Sequence, residues 1–336
     1  MKKLPFKILK SAKNSNQKEL SKVAVIGSGV WGLAISRLLC RNGNLVNVLS
    51  QFEEEAKTIN QKYPKLNTGT NFKSAIKDCE FIFIVVPSGA VLSVLKNLAK
   101  EKISSEVKLI ICTKGIESSG LQLFSDCIEN ELPTNKYAIL AGPNFAGEVA
   151  SGLPTTTTIA SKNKKAALEI SALLANKNFL PVVSEDVISA QIFGSIKNIL
   201  AIGCGIIDGL KLGENAKAAL ILKGTLEAET LIKKLGGKPK ENFVSPAGLG
   251  DLFLTCSSKK SRNNSLGVLI GKGNNIKEIT SKGTTFEGFN ASALMIEFAK
   301  KHQTTLPLCE KINHILQSDF STKEIKTIIS HAILSN

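Results

Sequence analysis

The feature that most constrains this chain is one stretch, Val23-Ala24-Val25-Ile26-Gly27-Ser28-Gly29-Val30-Trp31-Gly32. An apolar run long enough for a buried parallel strand leads directly into G-x-G-x-x-G. A helix-compatible run follows, with Leu33, Ala34, Ile35, Leu38 and Leu39. In a dinucleotide-binding unit each glycine has its own task. Gly27 lets the chain turn off the strand, Gly29 lets backbone approach a pyrophosphate, and Gly32 lets the helix pack closely. A lone motif of this kind is weak, since glycine turns are common. Here a strand precedes it, a helix follows, and a second strand at Leu45–Leu49 stands at the spacing the motif requires.

From residue 22 to about 185 strand and helix patterns alternate. Strands are expected at Phe81–Val86, Val107–Thr113, Tyr137–Ala141, Thr155–Ala160 and Phe179–Val183. Helices are expected at Val91–Ala99, near Leu121–Asn130 and at Lys164–Leu174. Continuous apolar runs such as Phe81–Val86 suit strands covered on both faces, hence a mostly parallel sheet in an α/β domain of Rossmann type. From about 186 the periodicity becomes helical, through 187–235, 262–271 and 287–302, and predicts an all-helical second domain over 186–336. Residues 1–21 are polar and basic, too broken for a signal-peptide core, and read as a disordered extension, with a transit peptide as the lesser alternative.

Composition narrows the function classes. The net charge of +15 could suggest nucleic acid or a membrane surface. Lysine is spread along the chain with little aromatic interleaving, however, and arginine occurs only at positions 37, 41 and 262, so the charge reads as background. Arg37 and Arg41 fit a solvated helix face. The seven cysteines form no C-x-x-C, which points to reduced thiols in a cytoplasmic compartment and no metal site. All three histidines lie near the C-terminus, away from the motifs, leaving acid–base chemistry to lysine or a carboxylate.

Two charges stand isolated. Residues 187–207 hold a single charged side chain, Lys197, among Ile192, Phe193, Ile196, Ile199 and Leu200. A membrane span fits poorly, because Gln191, Asn198 and several glycines interrupt the run. A buried core helix fits better, and a lysine inside one is costly unless it is paired or neutral. A snorkelling lysine is the bland alternative. Asp251, in Gly248-Leu249-Gly250-Asp251-Leu252, is the only charge between Glu241 and Lys259. It could be a helix N-cap, but beside Lys197 it reads as that lysine's buried partner. Ser261-Arg262-Asn263 supplies the one guanidinium of the second half, a fork suited to phosphate. Lys114, Pro87-Ser88 and Gly142-Pro143-Asn144 follow expected strands, at the sheet edge where ligands bind. With no suitable histidine, Lys197 is the candidate proton donor for hydride transfer at a carbonyl.

The ordered series GxGxWG, VVPS, TKGIE, AGPNFAGE, the Lys197-Asn198 pair, GLGDL, SRN and FEG resembles NAD(P)-dependent glycerol-3-phosphate dehydrogenase of the bacterial type, over roughly residues 22–315. The resemblance implies reduction of dihydroxyacetone phosphate to sn-glycerol 3-phosphate with NAD(H) or NADP(H), supplying glycerophospholipid backbones. It also implies a cytoplasmic homodimer without nucleic acid or membrane insertion. By motif, Lys197 with Asn198, Asp251 and Thr255 would form the catalytic group. Lys114, Gly142, Asn144, Ser261, Arg262 and Asn263 would line the substrate. Val30, Trp31, Gln51, Lys114, Ala146, Arg262, Thr285 and Glu287 would join the glycine loop at the cofactor. The chain departs from the family at Asn144, where Ser or Thr is usual. Gln51 is neither the acid of an NAD site nor the arginine of an NADP site, and Glu53 lies slightly late, so the cofactor preference stays open.

Three other readings compete. A β-hydroxyacid dehydrogenase also pairs a helical second domain with a catalytic lysine, but lacks the GLGDL and SRN motifs. A cofactor sensor without turnover has no need of Lys197 and Asp251, and a nucleic-acid binder requires clustered basic and aromatic residues.

Overall fold

The computed structural model describes residues 20–281 and 286–335. The expected extension lies outside these, apart from its last two residues. Two compact units emerge: the described residues up to Glu117 together with Leu123–Ala190, and Ser118–Gln122 together with Gln191 onward.

The first unit holds an eight-stranded sheet in the order β3-β2-β1-β4-β5-β6-β7-β8. Its strands are β1 (Lys22–Ile26), β2 (Leu45–Leu49), β3 (Leu66–Gly69), β4 (Phe81–Ile84), β5 (Lys108–Ile111), β6 (Tyr137–Ala141), β7 (Thr155–Ala160) and β8 (Phe179–Ser184). All neighbours are parallel except β6 and β7. The helices between them are α1 (Val30–Arg41), α2 (Glu53–Lys62), α3 (Phe72–Ile76), α4 (Val91–Lys100), α5 (Phe124–Glu131), α6 (Ala146–Ser151) and α7 (Lys164–Leu174). Consecutive residues of β4 point to opposite faces, and Ile82, Phe83 and Ile84 are all fully buried, so both faces are covered. Strand order reverses between β1 and β4, which opens a crevice at their carboxyl ends.

The sequence reading passes from β2 directly to Phe81 and misses α2, β3 and α3. β3, Leu66-Asn67-Thr68-Gly69, is an edge strand carrying few apolar side chains, so it lacks the hydrophobic run that marks the others. The expected helix from Leu121 starts at Phe124, because residues 118–122 belong to the other unit. There, Lys301 Nζ donates to the carbonyls of Gly120 at 2.7 Å and Leu121 at 3.2 Å. Arg41 is not on a merely solvated face. Its guanidinium donates to Val149 O at 2.8 Å and Ala150 O at 2.7 Å and so caps the end of α6.

The second unit is helical. It contains α8 (Val187–Gly209) from Gln191 onward, α9 (Glu214–Lys234), α10 (Pro239–Asn242), α11 (Asp251–Ser257), α12 (Arg262–Gly271), α13 (Ile276–Thr280), α14 (Glu287–Lys301), α15 (Pro307–Leu316) and α16 (Thr322–Leu334). The periodicity over 187–235 is broken into α8 and α9 by a turn in which Lys211 and Gly213 take positive φ, 56° and 89°. α8 is long and apolar enough to cross a membrane, yet it is buried as the core helix of this unit. Glycines bring α12 against it at close range. A Cβ on Gly205 would sit 2.0 Å from Asn264 O, and one on Gly267 would sit 2.0 Å from Ile202 O. Gly209 and Gly271 repeat the contact one turn further on, so backbone packs directly on backbone.

Candidate active site

In the first unit the glycine loop leaves β1 under tight steric control. A Cβ on Gly27 would lie 2.3 Å from Val85 O, just past the end of β4, and Gly27 has φ +116°. A Cβ on Gly32 would lie 2.0 Å from Gly27 O, so this glycine lets α1 start directly against the turn. Gly29 faces open space. No side chain caps α1 and its first turn holds no acid, which leaves its leading N–H groups directed at that space. Val30 is 77% exposed at the rim, while Trp31 packs on the sheet core. The geometry suits a pyrophosphate over Gly29.

Neighbouring loops complete this edge of the sheet. Thr113 Oγ1 donates to Val86 O at 2.7 Å, tying the ends of β5 and β4 together. Lys114 follows, and Gly115 packs on Ser88, where an added Cβ would be 3.4 Å from Ser88 Cβ. Gly142 lies so near β7 that a Cβ would be 3.0 Å from Thr157 Cα. Asn144 is partly committed inside the sheet. Its Nδ2 donates to Thr156 O at 3.1 Å and its Oδ1 accepts from Thr157 Oγ1 at 2.9 Å. The helix that follows Gly142-Pro143-Asn144, α6, begins at Ala146. Gln51 is exposed after β2, and Thr285 lies outside the described residues.

In the second unit Lys197 and Asp251, 54 residues apart, form one buried pair. Lys197 Nζ donates to Asp251 Oδ1 at 2.5 Å and to Thr255 Oγ1 at 2.8 Å. The two charged side chains are only 6% and 0% exposed. Thr255 in turn donates to Asp251 O at 2.6 Å, one helical turn back, which directs its lone pairs at the ammonium. Asp251 is delivered by the turn Pro246–Gly250, where Gly248 is obligatory: a Cβ there would be 2.2 Å from Phe243 O. Two charges taken out of water need this quality of geometry to offset desolvation.

Around this pair the starts of α12 and α14 converge on α8. Asn198 Nδ2 donates to Glu287 Oε2 at 3.3 Å, and Glu287 Oε1 lies 3.6 Å from Arg262. Asn263 Oδ1 accepts from Gly288 N at 3.0 Å, and a Cβ on Gly288 would be 2.5 Å from Asn198 O. Among the described residues Asn263 Nδ2 makes no hydrogen bond, which leaves a donor beside Arg262. Ser261 is nearly buried, and its Oγ caps α12 by accepting from Asn264 N at 3.3 Å. Asn198 thus pairs with Glu287 rather than with the neighbouring Lys197. The sequence reading missed the four close-packing glycines that set this arrangement; their signal is the spacing G-x-x-x-G at 205/209 and again at 267/271.

Chemically, a sealed ammonium with a fixed carboxylate can deliver a proton to a developing alkoxide. A half-exposed guanidinium can exchange its carboxylate partner for a phosphate.

Comparison with known proteins agrees over both units. The family described as NAD-dependent glycerol-3-phosphate dehydrogenase N-terminus matches residues 22–167, and that described as its C-terminus matches residues 186–327. Glycerol-3-phosphate dehydrogenase (NAD(P)+) of Maricaulis maris is 34% identical over 325 residues, covering 93% of this chain and 97% of the relative. The Bacillus subtilis enzyme of the same name is 35% identical, covering 92% and 93%. A crystal structure of glycerol-3-phosphate dehydrogenase from Coxiella burnetii superposes with a TM-score of 0.86 at 32% identity, covering 94% of this chain and 99% of that one. The chain belongs to the NAD-dependent glycerol-3-phosphate dehydrogenase family.

Proposed function

We propose that this chain interconverts dihydroxyacetone phosphate and sn-glycerol 3-phosphate, and that it supplies glycerophospholipid backbones. The observation that carries the reading is the buried Lys197–Asp251–Thr255 group, with Arg262 and Asn263 presented beside it from α12. A bound nicotinamide cofactor supplies or takes up the hydride. Lys197 Nζ gives its proton to the carbonyl oxygen as that oxygen becomes an alcohol, and in reverse takes the proton back. Asp251 and Thr255 hold the ammonium in one direction, so little reorganisation remains at the moment of transfer. Arg262 and the Nδ2 of Asn263 bind the substrate phosphate, and Asn198 and Glu287 position Arg262. Lys114, Gly142 and Asn144 are assigned to substrate by family resemblance. Ala146, Thr285 and Glu287 are assigned to the cofactor by family resemblance. The open space at Gly29 and the uncapped start of α1 support the dinucleotide assignment.

The division of labour follows: residues 22–185 bind the cofactor, and 186–336 bind the substrate and dimerise. Family resemblance supports the homodimer, and Leu222 and Leu226, exposed one turn apart on α9, offer apolar surface for it. None of the seven cysteines forms a disulfide, which supports a reducing, cytoplasmic setting.

The test follows nicotinamide absorbance with dihydroxyacetone phosphate and, in parallel, with unphosphorylated dihydroxyacetone and a panel of β-hydroxy acids. Oxidation of the reduced cofactor that requires the phosphate is the expected result. Turnover confined to hydroxy acids would overturn the reading.

A further inference from the structure

The end of β2 answers the question that Gln51 leaves open. Ser50 follows β2, its backbone N–H donating to Gly69 O at 2.9 Å. Its hydroxyl lies 3.1 Å from that of Ser28, the residue between the first two glycines of the loop. Both hydroxyls converge on one carboxylate oxygen, Glu55 Oε2, with Ser28 at 2.6 Å and Ser50 also within hydrogen-bonding range. Both serines are buried, and Glu55 is half-buried. Among the described residues Glu55 Oε1 has no hydrogen-bond partner. A carboxylate six residues past the end of β2 is therefore folded back from α2 to the strand end and fastened to the glycine-loop turn.

The electrostatics around it are of one sign. The first turn of α2 carries Glu53, Glu54 and Glu55, which offset the positive end of its dipole. Lys57, the basic residue nearest in sequence, is paired with Glu54 at 2.8 Å. No arginine stands between Arg41 and Arg262. Arg37 and Arg41 lie about 10 and 16 Å down α1 from Val30, at about 1.5 Å per residue. Arg37 stacks over Tyr63 at 4.9 Å and Arg41 caps α6, so neither is placed to meet a phosphate at the end of β2.

We propose that Glu55, held at the end of β2 by Ser28 and Ser50, selects NADH over NADPH. Its Oε1 accepts a hydrogen bond from the adenosine ribose 2′-hydroxyl, and its charge repels a 2′-phosphate. Glu55 is a specificity-determining residue, and Ser28 and Ser50 are positioning residues that act through it. The inference rests on the reading that the Gly27–Gly32 loop binds a dinucleotide.

The experiment is equilibrium binding rather than turnover. NADH and NADPH are titrated against the fluorescence of Trp31, the only tryptophan. ADP-ribose and 2′-phospho-ADP-ribose are titrated by calorimetry, so that the nicotinamide plays no part. We expect the 2′-phosphorylated member of each pair to bind about 100-fold more weakly at low salt, a gap that narrows as salt screens the repulsion. Glu55→Gln should shrink the gap to about tenfold or less, weakening NADH and strengthening NADPH, and Ser50→Ala should give an intermediate ratio. Equal or tighter binding of NADPH by the wild type overturns the proposal without any variant, as does a ratio that Glu55→Gln and Ser50→Ala leave unmoved. Failure of all four ligands to bind would overturn the dinucleotide reading itself, and the proposal with it.

Discussion

Two cation–carboxylate pairs flank successive residues of α8, and they differ in almost everything but charge. Lys197–Asp251 is closed at 2.5 Å with both side chains sealed from water. Arg262–Glu287 is open at 3.6 Å, with its partners 60% and 50% exposed. Asn198, next to Lys197 in sequence, is hydrogen-bonded to the second pair. The first pair is held in three ways: by the core helix α8, by the tight turn at Gly248 and by the side-chain hydroxyl of Thr255. The second is held only at its carboxylate end. Burial makes a pair rigid and dependent on both members, whereas exposure makes it weak and exchangeable. A proton donor benefits from the first property, and a phosphate receptor from the second.

The comparison breaks most visibly at Lys197. Lys197→Ala should lower kcat by about a thousandfold or more, with NADH binding retained by fluorescence titration. Near-normal turnover would remove Lys197 from the chemistry. Next is its partner: Asp251→Ala leaves the ammonium buried beside an apolar methyl and should destabilise the protein by about 3–5 kcal/mol in denaturant unfolding. Glu287→Gln, the matching change in the open pair, should alter stability by less than about 1 kcal/mol. Similar losses in the two variants would erase the distinction between the closed and the open pair. Arg262→Lys keeps the charge but loses the fork. It should raise KM for dihydroxyacetone phosphate about tenfold while kcat and stability change little.

A third carboxylate in the same unit, buried like Asp251, sharpens the contrast at the smallest scale. Glu227 caps the start of α15 by accepting from Leu308 N at 2.6 Å and Cys309 N at 3.3 Å. Burial pushes its carboxyl above the usual range, against the pull of these N–H groups. The folded state therefore binds this proton more readily than the unfolded state does. Stability should rise as pH falls through the raised native value towards about 4.3, the ordinary value for glutamate. Comparing the pH dependence of urea midpoints for wild type and Glu227→Gln checks this. The increment should vanish in the variant, and an unchanged profile would exclude Glu227 as its source.

The sheet unit shows how far local pattern reaches. β1, the glycine loop and α1 were legible because their signals, an apolar run, fixed glycines and helical spacing, all lie within about twenty residues. β3 and α2 were not, since an edge strand needs little apolar surface and a polar helix shows little periodicity. That omission also hid Glu55, whose position depends on α2 returning to the strand end.

In the helical unit the sequence alone marked Lys197, Asp251 and Arg262, because an isolated charge in an apolar run, or a lone arginine among lysines, is visible without coordinates. It also established the order of motifs, and with it the family. The pairing of Lys197 with Asp251 was also legible, from their shared isolation, and the structure added its geometry. Only the tertiary structure decided the other partnerships: Asn198 with Glu287, Arg41 with the end of α6, and Glu55 with two serines. The reason is physical. Which residues are apolar, charged or glycine is a local property of the chain, but which groups meet depends on how closely backbones approach. The glycine contacts of α8 with α12, about 60 residues apart, are fixed to a fraction of an ångström only when the whole unit is packed.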